Sequence, residues 1–251
     1  MLRVFPVVMI VIAAVGAITP QDSSYRSLVL SAADSALVEF EAGRFWHAAR
    51  MLREQNAATG KPEDVLLLAR AEAGWGNWSA VAELLDGAEW LPGESGAIGL
   101  YLLGRAWEAR GEWAEAAESY SRYVDLSSSG TTRHHASIVR WTRSLWKSGE
   151  REASFIALHQ LAPHLGAQSW TALELALGEA RDGNVSSVED LLSIIEQPSA
   201  RLSSWRLLPD ALFEAGDLTG TAEAFREAYQ QLTGDRRATA GIELAGLLLA
   251  G

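Results

Sequence analysis

Six glycines recur along the chain at a nearly constant spacing. Consecutive members of the set are 33, 35, 38, 34 and 33 residues apart. Each follows one stretch rich in alanine and leucine and precedes another: Gly43, Gly76, Gly111, Gly149, Gly183 and Gly216. A period of this length is typical of stacked helical hairpins, in which every unit buries its apolar face against its neighbours. The spacing therefore predicts one elongated all-α array rather than separate globular domains.

The residues around each glycine fit the turn of a helical hairpin. Glycine lets the chain leave the first helix at a positive backbone angle that other residues reach only at a cost. Breakers such as Gly60-Lys61-Pro62 and Gln197-Pro198-Ser199 separate consecutive hairpins. We expect six helical pairs, the first from about Ala32 to Ala57 and the last from about Leu202 to Leu232, with a kink or a late start at Pro209.

The clearest copy of the repeat runs from Leu102 to Tyr120 and reads LLGRAWEARGEWAEAAESY. It resembles the tetratricopeptide repeat (TPR). The resemblance implies a right-handed superhelix of about six antiparallel helical pairs, in which the first helix of each pair lines a concave groove. It also implies that the chain binds a protein or peptide in that groove and catalyses no reaction. We assign residues 22–235 to the TPR-like array and residues 236–251 to a terminal helix that belongs to a truncated repeat.

The composition excludes several classes of partner and site. With 21 basic and 32 acidic side chains the formal net charge is −11, which argues against binding to nucleic acid or to an anionic membrane surface. The chain has no cysteine, so disulfides, zinc–thiolate sites and cysteine nucleophiles are excluded. No histidine forms a helix-spaced pair with a carboxylate, and no phosphate-binding loop or dinucleotide fingerprint occurs. We therefore expect neither a metal nor a cofactor.

Residues 1–17 are organised as an export signal. Arg3 supplies a positive charge, an apolar run extends from Val4 to Val15, and Val15-Gly16-Ala17 offers small residues for cleavage. The apolar run is shorter than the roughly 20 residues of a membrane-spanning helix. We expect a cleaved signal, a periplasmic protein and no stable membrane insertion after cleavage; the alternative is an uncleaved segment that tethers the protein to the membrane.

No catalytic motif is complete in the chain. Ser144-Leu145-Trp146-Lys147 and Lys147-Ser148-Gly149 match two motifs of penicillin-interacting enzymes, but they overlap here, whereas those motifs lie on separate elements. The pattern predicts a non-catalytic adaptor or scaffold of the bacterial cell envelope.

A second, weaker resemblance gives the alternative function. The export signal, the alanine-rich helical pairs and the apolar end of the chain are similar to the superhelical N-terminal region of soluble lytic transglycosylases, which cleave peptidoglycan. In that family a catalytic glutamate precedes serine inside a lysozyme-like domain, whereas Glu94-Ser95 here falls in a glycine-rich loop between hairpins. The alternative is therefore the superhelical part of such an enzyme without its catalytic domain.

Three arginines share one position of the repeat. Arg70, Arg105 and Arg143 each precede their turn glycine by six residues, so the TPR resemblance places their guanidinium groups along one wall of the groove. An arginine fork suits carboxylates, and the expected ligands are acidic peptide segments or peptides associated with peptidoglycan. In the alternative interpretation the arginines pair with Glu72, Glu108 or acids on neighbouring helices and only solubilise the groove.

Three further side chains complete the candidate binding residues. Tyr101 lies one turn before Arg105, and Trp146 and Lys147 lie about one turn after Arg143. Residues one turn apart share a face of a helix, so these rings and this charge are expected on the same wall as the arginines.

The remaining tryptophans and the last helix give two more expectations. Trp78, Trp107 and Trp113 occupy positions that the repeat assigns to the core, whereas one or two of the others are expected at an exposed, functional surface: Trp75, Trp90, Trp146, Trp170 and Trp205. The final helix, predicted from about Arg236, carries a row of leucines on a face that an array normally covers or makes polar. We therefore expect self-association through this helix.

Overall fold

The computed structural model describes residues 32–55, 60–161 and 164–250. Within these ranges the chain forms fourteen α-helices and no strand, which confirms the all-α prediction. The helices are α1 (Ala32–Glu41), α2 (Phe45–Glu54), α3 (Pro62–Gly74), α4 (Trp78–Leu85), α5 (Ile98–Arg110), α6 (Trp113–Leu126), α7 (Thr132–Ser148), α8 (Arg151–His159), α9 (Leu165–Arg181), α10 (Val185–Ser193), α11 (Pro198–Ser203), α12 (Leu207–Glu214), α13 (Leu218–Gln231) and α14 (Gly234–Ala250). The predicted export signal, residues 1–17, lies outside the described residues.

The six glycines stand at the turns inside six helical pairs, as their spacing predicts. All six have a positive φ, between 71° and 93°. At each turn the glycine N–H bonds to the carbonyl three residues before it, and the next N–H bonds to the carbonyl five residues before itself. This is the Schellman pattern of helix ends. The pairs are α1 with α2, α3 with α4, α5 with α6, α7 with α8, α9 with α10, and α12 with α13.

The pairs stack in chain order, as in a TPR-like array. The second helix of a pair packs against the first helix of the next pair, and first helices also contact one another, as α1 and α3, α7 and α9, and α9 and α12 do. The core is divided accordingly into clusters that draw on adjacent pairs. Leu52 of α2 and Leu68 of α3 belong to one cluster, and Leu158 of α8 and Leu191 of α10 to another. Each pair therefore depends on its neighbours for burial.

The first helix of the sixth pair is interrupted. α11 ends at Ser203 and α12 begins at Leu207, so Pro209 lies in the first turn of α12. There the missing N–H of proline has no helical partner to lose. Of the two outcomes predicted for this proline, the structure has the late start.

The last helix, α14, begins at Gly234, two residues before the predicted start, and packs against α13. Of the leucine row that the sequence predicts to need cover, Leu248 is exposed, whereas Leu244 and Leu247 are half-buried. Ile242 and Leu249 on this helix are exposed as well. None of the helices in the described part of the chain combines the length and apolarity that crossing a membrane requires.

Candidate functional site

The first helices present a common face along the array. We define the first-helix face by the residue six positions before each turn glycine, together with the residues one turn on either side of it. The six defining positions are Leu37, Arg70, Arg105, Arg143, Leu177 and Asp210. First helices contact one another at α1–α3, α3–α5, α7–α9 and α9–α12, and Arg143 of α7 reaches Glu108 of α5. The three predicted arginines therefore lie in the middle of one continuous surface.

Arg70 is exposed on α3 and stacks on an aromatic ring of the preceding pair. Its guanidinium carbon lies 4.8 Å from the centroid of the Phe40 ring. No acidic side chain of the described residues forms a salt bridge with it. An exposed cation–π contact contributes only about 0.5–1 kcal/mol, so the donors of Arg70 are available to a ligand.

Arg105 is held more closely by its surroundings. Its guanidinium carbon lies 4.7 Å from the Trp78 ring centroid, and its Nε is 3.8 Å from a Glu108 carboxylate oxygen. About a third of the side chain is exposed. Arg105 therefore keeps some access to solvent while the indole ring fixes its orientation.

Arg143 is paired with two acids of the scaffold. Its guanidinium nitrogens lie 3.6 Å from Glu108 on α5 and 2.6 Å from Glu174 on α9. These contacts connect the first helices of three consecutive pairs. For Arg105 and Arg143 the structure thus has the pairing with Glu108 that the alternative interpretation expected. Glu72, the other acid named for this role, pairs instead with Arg53 of α2.

Glu108 is the centre of a network that the sequence analysis did not identify. Arg140, one turn before Arg143, donates to its Oε2 at 2.5 Å, and the buried Tyr120 hydroxyl donates to the same oxygen at 2.8 Å. Burial and the Glu108 charge raise the pKa of Tyr120, so the hydroxyl keeps its proton. Burial acts to lower the pKa of Arg140, but the Glu108 carboxylate together with Tyr120 and Tyr101 outweighs it, so the net shift of this pKa is upward. The Glu108 carboxylate therefore neutralises part of the positive charge of Arg105, Arg140 and Arg143.

The other three predicted residues are placed differently from one another. Tyr101 is half-buried, with its ring 6.0 Å from that of Tyr120, and Lys147 is exposed. Trp146 is only 6% exposed and belongs to the core, and its indole Nε1 donates to Glu179 at 2.7 Å. The expectation that Trp146 presents its ring on the groove is wrong, because the indole points between the fourth and fifth pairs to satisfy a buried carboxylate. Ligand binding by the other five residues stays a prediction.

The first-helix face has an apolar part on α9 and α12. Leu177 and, two turns before it, Trp170 are 42% and 47% exposed on α9, and Phe213 on α12 is 50% exposed; Trp170 is among the tryptophans of which the sequence predicts one or two at an exposed surface. Leu177 and Phe213 line a cleft of about 420 Å³ between the two helices, here called the α9–α12 cleft. Charged side chains of both signs also line this cleft: Arg181, Arg206, Asp210 and Glu214. The sequence analysis identified the arginines at this position of the repeat but not Leu177.

The groups on the first-helix face are suited to binding other molecules. In the described part of the chain no group of three or more His, Asp or Glu side chains is arranged to hold a metal ion. The face instead offers guanidinium donors, exposed aromatic rings and aliphatic side chains, which are the common components of protein-recognition surfaces.

Comparison with known proteins finds similar solved structures but no matching family. No protein-family model matches the chain, and no curated protein matches it. Among solved structures it is similar to the crystal structure of nearly identical TPR-like repeats from a Podosopora anserina protein provisionally named a kinesin light chain. The match has 20% identity and a TM-score of 0.39, and it covers 84% of this chain and 95% of that one. At this TM-score the two backbones differ widely, so the TPR-like architecture rests on the helices and turns described above. The resemblance to lytic transglycosylases stays a prediction.

Proposed function

We propose that the protein is a non-catalytic scaffold that binds a protein or peptide segment along the first-helix face. The supporting observation is the α9–α12 cleft, which Leu177 and Phe213 line with side chains that are 42% and 50% exposed. Single exposed apolar side chains are ordinary and occur elsewhere on the array, but two that line one cleft form an apolar patch of the kind found at interaction sites. Arg181 at the margin of the cleft would orient a bound segment, whereas Arg206 is paired with Asp210 and Glu243.

The chemistry of the face suggests the character of the ligand. The α3–α7 part presents Arg70, Arg105 and Lys147 to solvent, and the α9–α12 part presents apolar side chains between charged ones of both signs. A segment with acidic residues at one end and an apolar anchor at the other matches both parts. Acidic peptides of the cell envelope, including those associated with peptidoglycan, fit this description.

Site-specific photocrosslinking tests the binding face. A photoreactive amino acid at Leu177 or Phe213 should crosslink one defined partner in cells, whereas the same group at Leu218, an exposed position on α13, should not. Equal crosslinking from all three positions would contradict the proposal.

The arginines are tested with the partner so identified. Arg70→Ala and Arg105→Ala should each weaken its binding by about tenfold or more if a charge-assisted contact is lost, with Arg105 having the larger effect because it lies mid-array. The matched control is Arg226→Ala on the second helix of the sixth pair. If Arg70→Ala and Arg105→Ala lower the free energy of unfolding but leave binding of the partner unchanged, the arginines belong to the scaffold.

We also propose that the protein is exported to the periplasm. The support is the order of charge, apolar run and small residues in residues 1–17. Mass spectrometry of protein expressed with its native leader should find a chain that starts at Ile18. A full-length product would favour the membrane-tethered alternative.

A further inference from the structure

A second cleft lies on the side of the array away from the first-helix face. It has a volume of about 690 Å³ and is lined by residues of α8, α9 and α10, among them Phe155, Gln168 and Ile194. We call it the α8–α10 cleft. Gln168 precedes Leu177 on α9 by nine residues, which places it half a turn around the helix from the first-helix face. Nothing in the proposed function uses this cleft.

The base of the α8–α10 cleft contains an amide that faces the cleft and has no hydrogen-bond partner in the described part of the chain. Gln168 as a whole is 5% exposed, and none of the described residues hydrogen-bonds its side-chain amide. The amide nitrogen and oxygen keep contact with the solvent of the cleft. An amide that is enclosed by protein and open only to a cleft is available to hydrogen-bond a polar ligand there.

The rim of the cleft is made of hydrogen-bond acceptors. Asp190 and Glu196 contribute carboxylates, and no basic side chain of the described residues forms a salt bridge with either. His159 adds a third group: its Nδ1 lies 2.7 Å from the Phe155 carbonyl oxygen and so carries the proton in that contact. In the neutral ring this leaves Nε2 as an acceptor.

Two contacts fix this arrangement. The buried Ser169 hydroxyl accepts hydrogen bonds from the backbone N–H groups of Glu196 and Gln197, with N···O distances of 3.1 and 3.0 Å. These bonds hold the segment after α10 against α9. The Phe155 ring packs edge-on against Trp146 with 5.6 Å between centroids. The acceptors and the aromatic wall therefore belong to packed elements, which limits the entropy lost on binding.

We propose that the α8–α10 cleft binds the guanidinium group of an arginine side chain presented by a partner protein. The two carboxylates supply the opposite charge, the Gln168 and His159 acceptors add directional hydrogen bonds, and Phe155 supplies an aromatic contact. A guanidinium has five donors on a plane that also stacks on aromatic rings, whereas an ammonium has three donors and no plane. The site is independent of the function proposed for the first-helix face.

The test uses the full chain and blocked amino acids as ligands. NMR titration with N-acetyl-arginine amide should shift the Gln168 side-chain and Ile194 methyl signals with an affinity in roughly the millimolar range. N-acetyl-citrulline amide has nearly the same shape without the charge and should not bind, and N-acetyl-lysine amide should bind more weakly. Equal binding of citrulline or of lysine would overturn the assignment to a guanidinium.

Variants locate the binding within the cleft. Asp190→Asn and Glu196→Gln should each weaken arginine binding about three- to fivefold, as expected for a partly exposed ion pair. The matched control is Glu189→Gln, an exposed acid on the same helix that does not line the cleft. Both test positions are exposed, so the fold should be retained. Unchanged affinity in both variants, or shifts confined to residues outside α8–α10, would overturn the proposal.

Discussion

At the scale of single residues, side-chain carboxylates close three of the six turns. In each case a glutamate precedes the turn glycine by four residues, and the side chain directly after the glycine donates to it at 2.8–2.9 Å: Arg44 to Glu39, Asn77 to Glu72, and Asn184 to Glu179. The pattern Glu-x-x-x-Gly followed by Arg or Asn is legible in the sequence. The glutamate of this pattern also has partners outside the turn. Glu179, for example, accepts hydrogen bonds from Trp146 and Arg151 of the preceding pair, and these contacts follow only from the stacking of the pairs.

The indole of Trp146 makes the contact that the sequence analysis misassigned. Trp146→Phe keeps most of the packing but removes the donor to Glu179, so we expect a loss of about 1.5–3 kcal/mol in the free energy of unfolding, as for hydrogen bonds to charged groups. Urea denaturation measures it. Trp170→Phe, at an exposed ring, should change stability by no more than about 0.5 kcal/mol. Equal effects of the two substitutions would contradict the structural role of Trp146.

The lowered pKa of Glu179 predicts that the stability of the fold depends on pH. Burial alone raises its pKa, but hydrogen bonds from Trp146 and Arg151 and the Arg151 charge together lower it below the ordinary 4.5. A carboxylate with a lowered pKa stabilises the fold above its unfolded-state pKa and loses that contribution as the pH falls through the folded-state value. Between about pH 6 and about pH 3.5 the wild type should therefore lose more stability than Glu179→Gln. Glu189→Gln should behave like the wild type; an unchanged slope in Glu179→Gln would contradict the assignment.

At the scale of elements, the sequence predicts the pairs well and the contacts between them poorly. The turn glycines and Pro209 act through the local backbone, so the six pairs and the late start of α12 follow from the sequence. Arg143 and Trp146 each bond to a glutamate of the next pair, 31 and 33 residues away in the chain. These contacts depend on how one pair is rotated on the next. Residue spacing places a side chain on a face of its helix but does not give that rotation.

The turn glycines differ in how closely the next pair approaches them. A Cβ at Gly149 would meet nothing within 4 Å, whereas one at Gly183 would lie 3.2 Å from the backbone N of Ala215. Both have a positive φ, so alanine should cost about 1–2 kcal/mol at either from backbone strain. Gly183→Ala should cost measurably more, because the fifth and sixth pairs must separate. Paired thermal denaturation experiments measure the difference, and a smaller loss at Gly183 than at Gly149 would be inconsistent with this packing.

At the scale of the whole molecule, the first-helix face changes character along the array. The sequence places Arg70, Arg105 and Arg143 at one position of three consecutive pairs, and this part of the site is predictable because it follows the period. Leu177 occupies the same position in the fifth pair, so the face becomes partly apolar at α9, while Glu174 one turn before it is exposed and Asp210 holds the position in the sixth pair. The alternative interpretation of the sequence names Glu108 as a partner of these arginines, but it does not identify Glu174, because that contact depends on how α7 and α9 stack. The array therefore combines a periodic surface with local networks that modify it.

The face of α14 gives the last prediction. Ile242, Leu248 and Leu249 are 73%, 60% and 89% exposed, while Glu243 on the same helix is held at 3.1 Å by Arg206 of α12. Burying these three side chains of each copy against a second copy would contribute about 2 kcal/mol apiece. The total contribution of the six side chains in a dimer lies within the range of the free-energy cost of association, about 4–15 kcal/mol. We therefore expect weak self-association, visible in sedimentation only at roughly 0.1 mM or more.

Leu248→Ser with Leu249→Ser should abolish this self-association, because it removes most of the apolar area without touching the Arg206–Glu243 pair. The matched control is Leu126→Ser on α6, where the leucine is 51% exposed. This substitution should leave the self-association unchanged. The unmodified chain should also show slowed hydrogen exchange in α14 as its concentration rises, since association protects the helix from local opening. A strictly monomeric protein whose last helix is equally well protected at every concentration would show that α14 is stabilised by α13 alone and needs no second copy.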